Sequence, residues 1–346
     1  MSRLGFADRW GSGLGSAALV AACLCSADRD ASSAAAGPSN GAVLRCIPAE
    51  TRVVLETNPA DASGQQAREA VGLDAVLGRL PSRRALRGVP RRVIVAFVRA
   101  GGTTGPLCFS VAERPLALEF ERLRGEALGA YGGTTFYRAA DDPDVAVALV
   151  DPSCLVEGAP QAVRAVLELM SAPASAPSSA AKRLADLPEE SSGRRLLAGV
   201  PAASPVSLVY LAPANGCDLG AALRDLDRVL NAGLADMAKP YDSALQMLGK
   251  THGLRIDMRQ AGQDLATTLQ LAMPNRVAAQ LASVSLEAGK DMARVASDAA
   301  VRAGTLRASD ARVMEEALQS LRARADGDLV HVDVVFHEPG SQWGAR

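Results

Sequence analysis

Two apolar runs, each turned back by an Ala-Gly pair onto a second apolar run, constrain what this chain can fold into. Residues 92–99 (RVIVAFVR) are apolar on both sides of the strand period, as a strand covered on both faces would be. Ala100-Gly101-Gly102 turns the chain, and residues 107–111 (LCFSV) return beside it. In the second half Leu254, Ile256 and Met258 alternate with Arg255, Asp257 and Arg259, the pattern of a half-exposed strand. The turn Ala261-Gly262-Gln263-Asp264 then leads into residues 265–271. Paired runs of this kind predict antiparallel sheets.

Further strands and helices fill in around the hairpins. Residues 52–57, 134–137, 145–150 (VAVALV), 154–156 and 206–211 (VSLVYL) read as strands. Residues 67–80 and 115–128 have mostly helical apolar spacing. Pro160 opens a helix with Val163, Val166, Leu167 and Met170 on one face. Leu219, Leu223, Leu226, Leu230, Leu234 and Met237 recur at intervals of four and three, an amphipathic helix. A helix from Pro274 continues towards residue 296, and another carries Val313, Met314, Ala317, Leu318 and Leu321. The final strand places Val330, Val332, Val334 and Phe336 on one face and His331 and Asp333 on the other.

The two halves resemble each other. Each has a strand ended by proline (Pro59, Pro213), a helix, and a strand closing in Ala-Gly. Each also has Pro-x-x-Val-x-Ala-x-Leu after a strand: Pro160, Val163, Ala165, Leu167, and Pro274, Val277, Ala279, Leu281. The expected fold class is α+β, two related domains, each a largely antiparallel sheet with helices packed on one face. The expected division is 46–170 and 205–338, joined by a linker or surface segment at 171–204 whose start, SAPASAPSSAA, is of low complexity. A tail, 339–346, follows.

The N-terminus addresses location, not chemistry. Arg3 and Arg9 precede a short apolar run diluted by Gly13, Gly15 and Ser16. Val20-Ala21-Ala22-Cys23 fits the small-residue site at which bacterial lipoproteins are cut. The resemblance implies a signal peptide over 1–22, cleavage by signal peptidase II and a diacylglycerol thioether on Cys23. Leu24 after the cysteine implies outer-membrane sorting. Residues 23–45, rich in Ala, Ser and Gly, read as a flexible tether. The run Cys154-Leu155-Val156-Glu157-Gly158-Ala159-Pro160-Gln161-Ala162-Val163-Arg164-Ala165 is similar to the strand–Gly–helix turn of uncharacterised myxobacterial-type lipoproteins, in which a lipobox signal precedes a duplicated α+β region. That family supplies no active-site residues to carry over.

Lys+Arg 37 against Asp+Glu 38 leaves no basic surplus for nucleic acid. The six cysteines contain no Cys-x-x-Cys, which removes zinc-ribbon and thioredoxin-like readings. Setting aside Cys23 and Cys25, four remain, with three possible connectivities. A Cys108–Cys154 bridge within the first domain is preferred, and free buried thiols are the rival. Ala244 to Thr251 (ALQMLGKT) fits a permissive phosphate-loop pattern, but helical periodicity precedes its glycine and a strand follows, the reverse of what phosphate cradling needs. Ser179-Ala180-Ala181-Lys182 matches Ser-x-x-Lys inside a low-complexity run, without the companion motifs. The only histidines are His252, His331 and His337, and no zinc-binding His pair exists. His331 and Asp333 share a strand face that Arg255 and Asp257 could join, a candidate binding face. The expectation is therefore a non-catalytic lipid-anchored envelope protein, without cofactor or metal, binding a protein or small ligand. The alternative is an exported hydrolase-like enzyme with a dispersed site.

Overall fold

The computed structural model describes residues 43, 46–48, 51–57, 77–78, 80–86, 89, 91–100, 103–171, 183–186, 191–198, 206–213, 215–230, 249–261, 264–304 and 308–336. The lipobox with Cys23, all of the tether but Val43, most of the helix expected at 67–80, the Ser179–Lys182 pattern, Leu234 and Met237 of the helix expected from Leu219, residues 244–248, His337 and the tail 339–346 lie outside them. The chain is α+β, with helices packed against antiparallel sheet. It divides into two compact units at Leu211 and Ala212.

The first unit holds eight described strands: β1 (Val53–Thr57), β2 (Arg91–Ala100), β3 (Thr103–Ala112), β4 (Arg124–Tyr131), β5 (Thr134–Ala139), β6 (Ala146–Asp151), β7 (Cys154–Gly158) and β8 (Val206–Leu211). Their order is β8-β1-β2-β3-β7-β6-β5-β4, and every pairing is antiparallel. The apolar run in β2 is buried on both faces of the sheet, from Val93 to Phe97, and helices lie on both faces of its neighbours. On one side α1 (Ser82–Ala85) and α2 (Ala117–Leu123) bring Leu86, Leu116, Phe120 and Leu123 onto Ala139, Val147 and Leu155. On the other lies α3 (Pro160–Ser171), whose Arg164 guanidinium sits 5.3 Å over the Tyr131 ring, itself packed on Phe136. Phe136 pairs with Ala148, one residue out of phase with the Tyr137–Val147 pair on the α1/α2 side. Helices thus cover both faces here, where one was expected.

Three expectations are corrected in this unit. The helix expected at 115–128 ends at Leu123, and β4 follows. Gly125 and Gly129 weaken a helix there, and the turn at Gly132 (φ 54°) and Gly133 (φ 83°) has the two positive φ angles that close a tight hairpin with β5. The domain boundary expected at 205 falls after β8 instead, because β8 pairs along its length with β1, from Val53↔Tyr210 to Thr57↔Val206. Part of the expected linker is also structured. Arg183 bridges to Pro48, a 3-10 turn covers Leu184–Asp186, and α4 (Ser192–Ala198) buries Leu196 and Leu197 beside β8.

The second unit contains β9 (Cys217–Asp218), α5 (Leu219–Leu230), β10 (Lys250–Thr251), β11 (Gly253–Ala261), β12 (Asp264–Ala272), α6 (Arg276–Arg302), α7 (Ala308–Ser320), β13 (Arg322–Asp326) and β14 (Leu329–Phe336). β9 and β10 pair with each other, and the larger sheet runs β13-β14-β12-β11. Asn275 caps α6 by accepting a hydrogen bond from the Ala278 amide, 2.9 Å. The helices are tied to the sheet by polar bonds at its edge. The Ala323 amide donates to Glu287 at 2.7 Å, Lys290 Nζ to the Leu321 carbonyl at 2.7 Å, and the Val335 amide to Ser320 Oγ at 3.2 Å. Leu254, Ile256, Met258, Leu269, Leu271, Val330, Val332 and Val334 form the buried apolar face.

The units share a strand order. In the first, hairpin β2–β3 pairs through β3 with β7, which pairs with β6. In the second, hairpin β11–β12 pairs through β12 with β14, which pairs with β13. Ala100 and Ala261 both end the leading strand of the first hairpin, so the Ala-Gly correspondence is topological. The Pro-x-x-Val correspondence is not. α3 follows the last strand of its set, whereas α6 follows the second.

Candidate functional site

The strand period that sends the apolar residues of the second unit to one face sends a set of polar residues to the other. Register aligns them in two rows. Arg255 lies opposite Gln270, Gln270 opposite His331, and His331 opposite Arg324. One step along, Asp257, Thr268, Asp333 and Arg322 form the second row. All four residues expected on a binding face are therefore on one face.

Burial grades across the rows. Arg255 is 0% exposed and Asp257 7%, whereas His331 and Asp333 are half-buried and Arg322 and Arg324 exposed. Arg255 Nη2 and Asp257 Oδ2 are 2.7 Å apart, an ion pair between alternate residues of one strand. A buried pair of this kind offsets a large desolvation cost rather than adding net stability. Arg255 and Asp257 thus lie at the covered end of the rows, where a half-exposed strand was expected, and the groups open to a ligand are His331, Asp333, Arg322 and Arg324.

Burial is the main cause that lowers the His331 pKa below its ordinary value. Arg324 adds to it, Asp333 and Asp326 oppose it, and Arg255 contributes least, also lowering. The imidazole is accordingly neutral at pH 7, able to donate from one nitrogen and accept at the other. Thr268 Oγ1 donates to Asp333 Oδ1 at 3.1 Å. The hydroxyl is thus committed to the carboxylate and not to the imidazole, so these three groups do not form a nucleophile–base pair. What the face offers is recognition: charge of both signs and a neutral ring.

Arg322 and Arg324 were missed in the sequence because β13 was. Its RARAD segment has low strand propensity, yet the alternation before Gly327 (φ 60°) and the return strand β14 carries the hairpin signal. His252 lies at the bend between β10 and β11, its amide donating to the Ala272 carbonyl. Gly249 (φ 77°) precedes strand β10, so Lys250 and Thr251 lie in a strand and do not open a helix, as phosphate cradling needs.

The Cys108–Cys154 bridge is ruled out by strand parity. Cys108 pairs with Glu157 and Val111 with Cys154 on β3 and β7. The two cysteines are three positions apart in register, so their side chains leave opposite faces of the sheet, and no disulfide geometry can join them. Both are free and buried. Among the described residues, no group of three or more His, Cys, Asp or Glu could hold a metal ion, and no helix is long and apolar enough to cross a membrane.

No family model and no curated protein matches the chain. Among solved structures it is similar to crystal form I of TP0453, with TM-score 0.44 and 10% identity over 88% of this chain and 94% of that one. Crystal form IV of TP0453 gives TM-score 0.40 and 12% identity over 85% and 92%.

Proposed function

We propose that this chain is a bacterial envelope lipoprotein, anchored through a lipid on Cys23, that works by binding and not by catalysis. The observation that carries the anchor is the sequence Val20-Ala21-Ala22-Cys23 followed by an Ala/Ser/Gly-rich stretch. Such a stretch holds too few apolar groups to pack and lets a folded domain stand off from a surface. The binding role is supported by the polar rows of the second unit, which run from the buried Arg255–Asp257 ion pair to accessible His331, Asp333, Arg322 and Arg324. Groups held by neighbouring strands keep their spacing when a ligand arrives, so little ordering entropy is spent on binding. The ligand is an envelope protein or a small molecule in contact with that face, and the membrane that holds the lipid is the outer membrane.

The test is metabolic palmitate labelling of wild type and Cys23→Ala in a Gram-negative host, with membrane fractionation. The expected result is label and outer-membrane localisation in the wild type, and loss of both in the variant. An unlabelled wild type in the cytosol would sink the anchor and the envelope role with it.

A further inference from the structure

Glu157 is 0% exposed, in the middle of β7, with Cys108 and Val147 as its strand neighbours. A buried carboxylate is costly unless it is fully hydrogen-bonded. Here one residue supplies two donors: the Ser82 amide reaches Glu157 Oε2 at 3.1 Å, and the Ser82 hydroxyl donates to Oε1. Ser82 is the first residue of α1 and is itself buried. Four residues on, the Leu86 amide donates to the Ser82 carbonyl at 2.8 Å, and Leu86 is 0% exposed in the core. The single turn of α1 is therefore fastened to the sheet at both ends.

Between these fastenings stand Arg83 and Arg84, both exposed. They line one wall of a cleft of about 470 Å³ whose other wall carries Asp141 and Asp142, from the turn between β5 and β6. That turn is fixed too. The Ala139 amide donates to the Val145 carbonyl at 2.8 Å, the Ala140 amide to the Leu123 carbonyl at 2.8 Å, and the Asp144 amide to Asp142 Oδ1 at 3.0 Å. Among the described residues, the side chains of Arg83, Arg84 and Asp141 make no hydrogen bond or ion pair.

We infer that this cleft binds a small zwitterion carrying a phosphate for Arg83 and Arg84 and an ammonium for Asp141 and Asp142. Two arginines lining one cleft present more donors and more charge than one carboxylate satisfies, and their planar forks fit phosphate oxygens in a monoester or a diester. A ligand with phosphate alone meets the carboxylates of the facing wall, and one with ammonium alone meets the arginines; a phosphate-ammonium compound answers both. The same chemistry occurs in a free aminoalkyl phosphate and in a phosphoethanolamine lipid headgroup. The inference rests on the first unit and does not depend on lipidation of Cys23.

The experiment titrates the full chain calorimetrically with O-phosphoethanolamine, inorganic phosphate and ethanolamine, and measures co-sedimentation of Cys23→Ala protein with phosphatidylethanolamine-containing and phosphatidylcholine-only vesicles. Saturable binding of O-phosphoethanolamine, about tenfold tighter than either half-ligand, is expected. Arg83→Gln/Arg84→Gln weakens it about tenfold or more, and Asp141→Asn/Asp142→Asn reduces it to the level of inorganic phosphate. Asn at 142 keeps the oxygen that accepts from Asp144, and the four side chains lie outside the core, so the variants fold; the single arginine variants provide the same comparison at smaller effect. Co-sedimentation only with phosphatidylethanolamine, lost in the arginine variant, assigns the ligand to lipid headgroups, and soluble binding alone assigns it to a free solute. Absence of saturable binding to O-phosphoethanolamine and to both vesicles, or binding unchanged in both double variants, overturns the proposal.

Discussion

Cys108 and Cys154 lie on neighbouring strands but leave opposite faces of the sheet, so each thiol is governed by its own surroundings. For Cys108, burial is the main cause that pushes the pKa up, and the Glu157 carboxylate adds to it. Cys154 is pushed up to about 12, chiefly by burial, then by Cys46 and Asp151. The thiolate is the reactive species, so both are expected to be inert in the folded protein. With iodoacetamide at about pH 8, near the free-thiol pKa, Cys217 should label first among the described cysteines, being only half-buried. Cys108 and Cys154 should label only on unfolding. Mass spectrometry of the labelled digest reads this directly, and a Cys108–Cys154 linked peptide under non-reducing conditions would contradict the register. The sequence could not have revealed this. It shows that both cysteines are in strands, but which face each takes depends on a pairing register that no local pattern contains.

At the scale of elements, strong periodicity was legible and weak periodicity was not. The β2 and β11 hairpins were visible because apolar period and turn residues agree at the same place. β4 was read as the end of a helix because Leu123 and Leu128 continue an apolar stripe; its strand state comes from pairing with β5, a tertiary contact. β13 was invisible for a related reason, since RARAD offers no apolar face and is held by β14 and by Glu287 of α6. α6 itself was legible, and it supplies a within-helix test of which face carries stability. Leu286 is 5% exposed and Leu281 64%. Leu286→Ala is expected to cost about 2–5 kcal/mol through lost burial and a cavity, and Leu281→Ala within about 0.5 kcal/mol of nothing. Urea unfolding of the two variants compares them, and equal costs would mean that the helix packs by a different face.

Over the whole molecule, the sequence conveyed the α+β class and its antiparallel hairpins but misplaced the seams. The repeated strand order β2-β3-β7-β6 and β11-β12-β14-β13 underlies the resemblance between halves, while the longer motif match joined α3 to α6, which occupy different places in that order. Helical spacing recurs wherever a helix lies on a sheet, so it cannot identify equivalent positions; a turn that closes the same hairpin in both units can. The candidate face was legible for the same reason as the hairpins, from alternation in β11 and β14, and its outer arginines were lost with β13. That face also sets an expectation for global stability. The folded protein holds His331 below its ordinary pKa of 6.5, through burial and Arg324 against the opposing Asp333 and Asp326, with Arg255 on the lowering side. Below pH ~6.5 the unfolded chain therefore takes up the proton before the folded protein does, and stability falls as pH drops towards the folded value. Above the unfolded pKa the contribution is fully present. Unfolding free energy measured by urea between about pH 5 and 8, the range in which histidine titrates, should decline on the acid side in wild type and more shallowly in His331→Gln. Parallel curves for the two proteins would mean that the ring titrates alike in both states, and the packing inferred around it between Arg324 and Asp333 would have to be revised.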